Sequence, residues 1–228
     1  MNINIVLNSI NEDIKLNNEK LKNIINEYYI NEQFKNLNIN TNNNIQIKKY
    51  NDGRYEGQLV NDKMEGKGIF YYDEEPWKGD RYEGYFKNDK REGKGIFYYN
   101  NEPWKGDRYE GDWKNNKREG KGIYYYNNGD RYEGDWKDGK KEGKGIFYYN
   151  DGDRYEGDFK NNNKEGKGIY YRNNGDRYEG DWKNNKTEGK GIFYYNNGDR
   201  EMGHYSEDGR IGKHVTLKAN GDVITKNY

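Results

Sequence analysis

The chain has 228 residues, no Cys, and 40 Lys and Arg balanced by 40 Asp and Glu. Only 30% of it is hydrophobic, a composition that ordinarily leaves too little apolar surface to offset chain entropy. The absence of Cys excludes a disulfide framework and a Cys-ligated zinc or redox site, and zero net charge removes the simplest case for nucleic-acid binding.

Two features oppose disorder. Aromatic residues make up 16% of the chain, with 25 Tyr, and their pattern is periodic. Each aromatic buries roughly 150–250 Å², so a few per repeat can stand in for missing Leu and Val. A thin, aromatic-stacked sheet is therefore expected, not a thick two-layer core. No apolar run approaches the roughly 20 residues of a membrane span. The start, MNINIVLNSI, has neither the basic region nor the sustained apolar region of a signal peptide. These readings point to a soluble, cytoplasmic protein.

Residues 1–44 form an Asn-rich N-terminal segment. Leu21, Ile24, Ile25 and Tyr28 follow helical spacing, and Ser9 with Glu12 offers a capping box. An amphipathic helix is expected within residues 10–36, its apolar stripe packed on the first sheet edge, with an Asn-rich link to Asn44. A partner-binding or membrane helix, or disorder, are the alternatives. Ile45–Tyr50 then reads as a lone strand.

From there the chain repeats itself through residue 211. Tyr-Glu-Gly begins at Tyr55, Tyr82, Tyr109, Tyr132, Tyr155 and Tyr178, with a degenerate copy at Glu201. The spacings are 27, 27, 23, 23, 23 and 23, the longer two carrying the insertions DEEPWKGD and NNEPWKGD. A fixed unit length means an array built by stacking. Within one unit, alternation over Arg131–Lys137 places Tyr132, Gly134 and Trp136 on one face of a half-exposed strand. A polar turn at Asp138–Lys141 leads to a second strand, Gly143–Tyr149. Asn128-Gly129 and Asp151-Gly152 read as type I′ turns into the next hairpin. Glycines in strands are weak unless something packs over them, so rings from adjoining hairpins are expected across Gly134, Gly143 and Gly145. Residues 212–228 keep the hairpin rhythm with Val, Thr and Ile and read as a C-terminal cap. The predicted fold is all-β: an elongated single-layer antiparallel meander of repeated β-hairpins behind an N-terminal α-helix. At about 4.8 Å per strand, each unit rises about 9.6 Å and seven units reach on the order of 65 Å.

The recurring YEGDWKNNKREGKGIYYYNNGDRYEG resembles the MORN (membrane occupation and recognition nexus) repeat over residues 50–222. The resemblance implies a single-layer meander serving as a scaffold at membranes, cytoskeletal structures or junctions, through acidic phospholipids or partner helices. One departure is that Glu92, Glu119, Glu142, Glu165 and Glu188 stand where the family commonly carries His.

Three sets of residues are candidates for binding. The aromatic ladder Tyr82, Phe86, Tyr109, Trp113, Tyr132, Trp136, Tyr155, Phe159, Tyr178 and Trp182 reads mainly as core, with sugar or base stacking as the alternative. Lys87, Lys90, Arg91, Lys94, Lys114, Lys117, Arg118, Lys121, Lys137, Lys140, Lys141 and Lys144 cluster about the inner turns. They predict one basic long edge for an anionic phospholipid surface or an acidic partner. Trp77 and Trp104, on successive insertions, read as partner anchors or as packing beneath the N-terminal helix. No cofactor is predicted. Repeated, water-facing carboxylates make poor acid–base catalysts. His204 and His214 sit in the decayed last unit, and Asn150–Asp153 lacks the spaced ligands of a calcium loop. The expected function is a non-enzymatic, multivalent scaffold, with end-to-end homodimers through open sheet edges. The alternatives are a module gripping a partner helix in its aromatic groove, or a carbohydrate-binding repeat.

Overall fold

The structure is a computed structural model that describes residues 45–228. The N-terminal helix expected within residues 10–36 lies outside the described residues. Sixteen strands run Gln46–Tyr50 (β1), Gly53–Val60 (β2), Lys63–Tyr72 (β3), Arg81–Lys87 (β4), Lys90–Tyr98 (β5), Arg108–Lys114 (β6), Lys117–Tyr125 (β7), Arg131–Lys137 (β8), Lys140–Tyr148 (β9), Arg154–Lys160 (β10), Asn163–Tyr171 (β11), Arg177–Lys183 (β12), Lys186–Tyr194 (β13), Arg200–Ser206 (β14), Gly209–Leu217 (β15) and Val223–Asn227 (β16). Each pairs antiparallel with its sequence neighbours in one open meander. Pairing stops at β1 and β16, so the sheet does not close into a barrel.

The register explains how so polar a chain holds together. Gly134 of β8 stands opposite Gly145 of β9, which in turn stands opposite Gly157 of β10. Repeated from β2–β3 through β12–β13, this lays a track of bare backbone across the sheet. The Tyr132 ring lies along that track and is fully buried. A Cβ built on Gly134 or Gly145 would come within 2.5 Å of the Tyr132 hydroxyl. The hydroxyl in turn donates to the Asp135 carbonyl at 3.0 Å. Tyr55, Tyr82, Tyr109 and Tyr155 are buried to the same degree over their own glycine pairs. The covering ring thus comes from within the hairpin, two residues before the glycine, and not from the adjoining hairpin as alternation had suggested. The physical reason is that a ring reaching along its own strand also brings its hydroxyl to a bulged carbonyl. The bulge lies between Gly134 and Trp136.

Between these tyrosines stand the rings of the Trp register. Trp136 meets Tyr109 at 5.1 Å and Tyr132 at 5.3 Å, edge to face in both cases. Phe159 meets Tyr132 and Tyr155 in the same way, at 4.9 and 5.2 Å. The predicted Trp ladder is therefore a herringbone in which tyrosines separate the tryptophans, the edge-to-face arrangement that ring quadrupoles favour. It runs from Tyr55 to Tyr205 and is the core of a sheet with no second layer.

The last unit keeps the herringbone with different residues. Glu201 replaces the tyrosine, and His214 replaces the second glycine of Gly-Lys-Gly. The His214 ring, 1% exposed, now covers Gly203 from the opposite strand. It meets Tyr205 at 5.2 Å and Tyr228 at 5.0 Å. Its Nδ1 lies 3.1 Å from Glu201 Oε1, its Nε2 2.8 Å from the His204 carbonyl. His214 is a structural replacement, which repeat decay alone did not anticipate.

The turns also differ from expectation. At the inner turns both central residues have positive φ, as at Asn115 (48°) and Asn116 (68°), which is the type I′ geometry. At Asn127–Asp130 only Gly129 does (φ 92°), with its N–H donating to the Tyr126 carbonyl and the Tyr126 N–H to the Asp130 carbonyl. That is a longer turn closed by a left-handed glycine, not the type I′ turn expected at Asn-Gly. Both turn types latch to the next hairpin. Asp130 accepts from the Asn150 N–H at 2.9 Å, and Asn150 Nδ2 donates to the Asn128 carbonyl at 2.7 Å. On the other edge Glu119 accepts from the Asp138 N–H at 3.0 Å. Glu92, Glu142, Glu165 and Glu188 do the same one turn on.

Candidate binding groove on the aromatic face

A second aromatic row runs beside the herringbone on the same face. Phe97 and Tyr99, Tyr124 and Tyr126, Phe147 and Tyr149 lie 4.5–4.6 Å apart as pairs. Successive pairs touch at 5.6–5.8 Å. Phe97 and Tyr124 are buried, while Tyr99, Tyr126, Phe147 and Tyr149 are only partly buried. Burial pushes the phenol of Tyr126 up to about 12, and likewise that of Tyr149, so both stay neutral.

The residue two places before the left-handed glycine of each second strand projects onto this face. Arg91 lies over Trp113 at 4.4 Å, and Arg118 over Trp136 at 4.4 Å. Lys141 lies over Phe147 and Lys164 over Trp182, both at 4.8 Å. Such stacking is worth about 0.5–2 kcal/mol. Their hydrogen bonds go to neutral oxygens. Arg91 donates to the Asn116 carbonyl (2.9 Å), Arg118 to the Gly139 carbonyl (2.7 Å), Lys141 to the Tyr126 hydroxyl (3.1 Å) and Lys164 to the Tyr149 hydroxyl (3.0 Å). Burial, with Arg118 and Lys164 adding repulsion, lowers the Lys141 ammonium to about 8. Burial lowers Lys164 to about 8 as well.

At the N-terminal end of this groove the two insertions converge. A cleft of about 460 Å³ is lined by Tyr72, Trp77, Arg91, Phe97, Trp104 and Arg118 among others. Trp77 is 43% and Trp104 49% exposed, in contrast to Trp113, Trp136 and Trp182 in the core.

The twelve cations grouped by sequence divide among three surfaces. Arg91, Arg118 and Lys141 line the groove. Lys94, Lys121 and Lys144 lie on the reverse face, paired with Asp112 (2.7 Å), Asp135 (2.5 Å) and Asp158 (2.6 Å). Lys87, Lys90, Lys114, Lys117, Lys137 and Lys140 remain on the exposed turn edge, where Lys117 pairs with Asp138 at 2.8 Å. The ladder residues Tyr82, Phe86, Tyr109, Trp113, Tyr132, Trp136, Tyr155, Phe159, Tyr178 and Trp182 are all buried. Packing of Trp77 and Trp104 beneath the N-terminal helix lies outside the described residues. Sequence reasoning overlooked Lys164 and the second ring row, although counting by twos back from Tyr124 lands on Arg118. Among the described residues no three His, Asp or Glu side chains converge to hold a metal, and no helix is long and apolar enough to cross a membrane.

No curated protein matches the chain. Among solved structures it is similar to the SAS-4 (dCPAP) TCP domain of Drosophila melanogaster, in complex with a proline-rich motif of Ana2 (dSTIL). That match has 15% identity and a TM-score of 0.46, covering 83% of this chain and 94% of that one. It is also similar to the G-box domain of the microcephaly protein CPAP (11% identity, 81% and 99% covered, TM-score 0.40). A third similarity is to the TCP10 domain of Danio rerio CPAP (12% identity, 80% and 94% covered, TM-score 0.29). None of the three bears on what this chain binds. The MORN repeat family model matches residues 55–74, 82–102, 109–131, 132–154, 155–177 and 178–200, together more than half of the sequence. With the hairpin register repeating over those same segments, the chain belongs to the MORN repeat family.

Proposed function

We propose that this protein is a non-enzymatic interaction scaffold that holds a partner polypeptide in the groove of its aromatic face. The observation that carries this reading is the pair of half-exposed tryptophans, Trp77 and Trp104, beside Arg91 and Arg118 in one cleft. Large rings left in water at a concave site, while the remaining tryptophans are buried, are the usual anchors of an interface. The repeated sheet supplies many similar contacts along a stiff support, which sum through effective concentration.

The experiment is in-cell photo-crosslinking of the full chain, wild type against Trp77→Ala with Trp104→Ala. The double substitution should leave the melting temperature within about 2 °C and abolish the main protein crosslink. A melting temperature lowered by 8 °C or more would show that both rings serve the fold instead.

A membrane reading rests on the exposed lysine edge at Lys87, Lys114 and Lys137. That edge is interleaved with the turn-capping carboxylates Glu92 and Glu119, which weaken its potential. Co-sedimentation with anionic but not neutral vesicles, lost on substituting those three lysines, would establish it.

A further inference from the structure

The cation row in the groove survives a change of bearer. In the sixth unit Thr187 occupies the position of Arg91, Arg118, Lys141 and Lys164, so no cation comes from the usual strand. One unit earlier, the ring slot held elsewhere by Tyr72, Tyr99, Tyr126 and Tyr149 carries Arg172. The Arg172 guanidinium lies 5.3 Å over Phe193. Phe193 is the counterpart of Phe147, over which Lys141 stands. The cation lost at Thr187 is thus restored over the corresponding ring, Phe193, from the connection that follows β11. Only at Arg210 is the corresponding charge neutralised, by Glu201 at 2.8 Å.

Arg91, Arg118, Lys141, Lys164 and Arg172 make no ion pair with a carboxylate among the described residues. On the reverse face, by contrast, Lys94, Lys121 and Lys144 each pair with an aspartate. Arg172 is exposed, but Arg91, Arg118, Lys141 and Lys164 are half-buried, and a row of partly desolvated like charges costs stability. The groove floor is made of rings, and the backbone of every strand beneath it is engaged in the ladder. A ligand lying there must satisfy its own backbone N–H and C=O groups, which a helix does and an extended segment does not.

We infer that the groove takes an acidic amphipathic helix, apolar side chains against the tyrosine rows and carboxylates on the cations Arg91 to Arg172. This rests on the groove reading above. Two strands per unit place successive cations about 10 Å apart, which at about 1.5 Å per helical residue asks for a carboxylate every sixth or seventh position. A flat bilayer would meet the edge lysines before cations recessed between ring rows.

The test is fluorescence anisotropy with the full chain and two labelled helical peptides of about 30 residues, identical except for Glu or Gln at every seventh position. The Glu peptide should bind at least tenfold more tightly than the Gln peptide. Arg118→Gln with Lys141→Gln should weaken the Glu peptide tenfold or more and leave the Gln peptide unchanged. The charge-retaining Arg118→Lys with Lys141→Arg keeps affinity, and Lys114→Gln with Lys137→Gln on the edge changes nothing. Equal binding of the two peptides, both lost with Trp77→Ala and Trp104→Ala, leaves the groove standing and overturns its acid preference. No binding by either peptide overturns both. If the edge variant loses as much as the groove variant, or phosphatidylserine vesicles displace the Glu peptide through Arg118 and Lys141, the occupant is an anionic surface and the inference fails.

Discussion

Gly145→Ala is the sharpest test of how the sheet is held together. The new methyl carbon would sit 2.5 Å from both Cε2 and the hydroxyl of Tyr132. Ordinary carbon contacts are about 3.5–4.0 Å, so the ring must retreat by about 1 Å. It has nowhere to go, because Trp136 stands 5.3 Å away on one side and Phe159 4.9 Å on the other. Overpacking of this kind costs about 1–3 kcal/mol, and a lost Tyr132 hydrogen bond to the Asp135 carbonyl adds about 1 kcal/mol. The expected destabilisation is therefore about 2–4 kcal/mol, read by urea unfolding followed through tryptophan fluorescence. The last unit supplies a companion experiment, because there the ring comes from the glycine side and a carboxylate stands in the tyrosine position. Tyr132→Glu with Gly145→His should cost less than the sum of its two single substitutions. In that double variant Lys141 and Tyr126 offer the new carboxylate what Arg210 and Tyr195 offer Glu201. A Gly145→Ala protein within 0.5 kcal/mol of wild type, or strict additivity in the double variant, would refute the view that ring over glycine is the organising contact.

Tyr109→Phe removes only the hydroxyl that donates to the Asp112 carbonyl at 3.0 Å, and should cost about 1 kcal/mol in the same assay. His214→Ala opens the ring stack between Tyr205 and Tyr228. It should destabilise the final hairpin by about 3 kcal/mol, seen as faster amide exchange in β14–β16 with the central units unchanged. Stability should rise from pH 8 to about pH 10. Lys141 and Lys164 titrate near 8 in the folded chain and near 10.4 unfolded, so the unfolded chain binds more protons in that window. Each contributes of order 2 kcal/mol, reduced from the full shift because both side chains meet some solvent, and Lys141→Met should remove about half of the rise. Above pH 10 the trend reverses. Burial holds Tyr82, Tyr109 and Tyr132 protonated in the fold while the unfolded chain ionises, so stability is lost.

Much of the meander was legible because unit length, period-two alternation and glycine placement agree through the first six copies. Tyr132, Gly134 and Trp136 share a face by counting alone. The direction of the Tyr132 ring was not legible: alternation says which face a side chain takes, not whether it lies along its own strand. The turns were misjudged because Asn-Gly is the strongest short signal for a type I′ geometry, whereas Asn115-Asn116 adopts it and Asn128-Gly129 does not. Arg118 shows a different failure. Its parity with Gly120, Gly122 and Tyr124 places it on the aromatic face, but a charge beside a turn invites a solvated reading. The exchanges of Tyr for Glu201 with Gly for His214, and of a cation for Thr187 with a ring for Arg172, each join residues on different segments of the chain. No single-strand pattern carries them.

The four extra residues in each of the first two long units enter wholly at the connections bearing Trp77 and Trp104, and strand pairing passes beneath them without a shift. One margin of the sheet can therefore grow while the other stays fixed. Variation in loop size is uncoupled from the spacing of the stack, so new recognition elements can be grafted at any unit without retuning its neighbours.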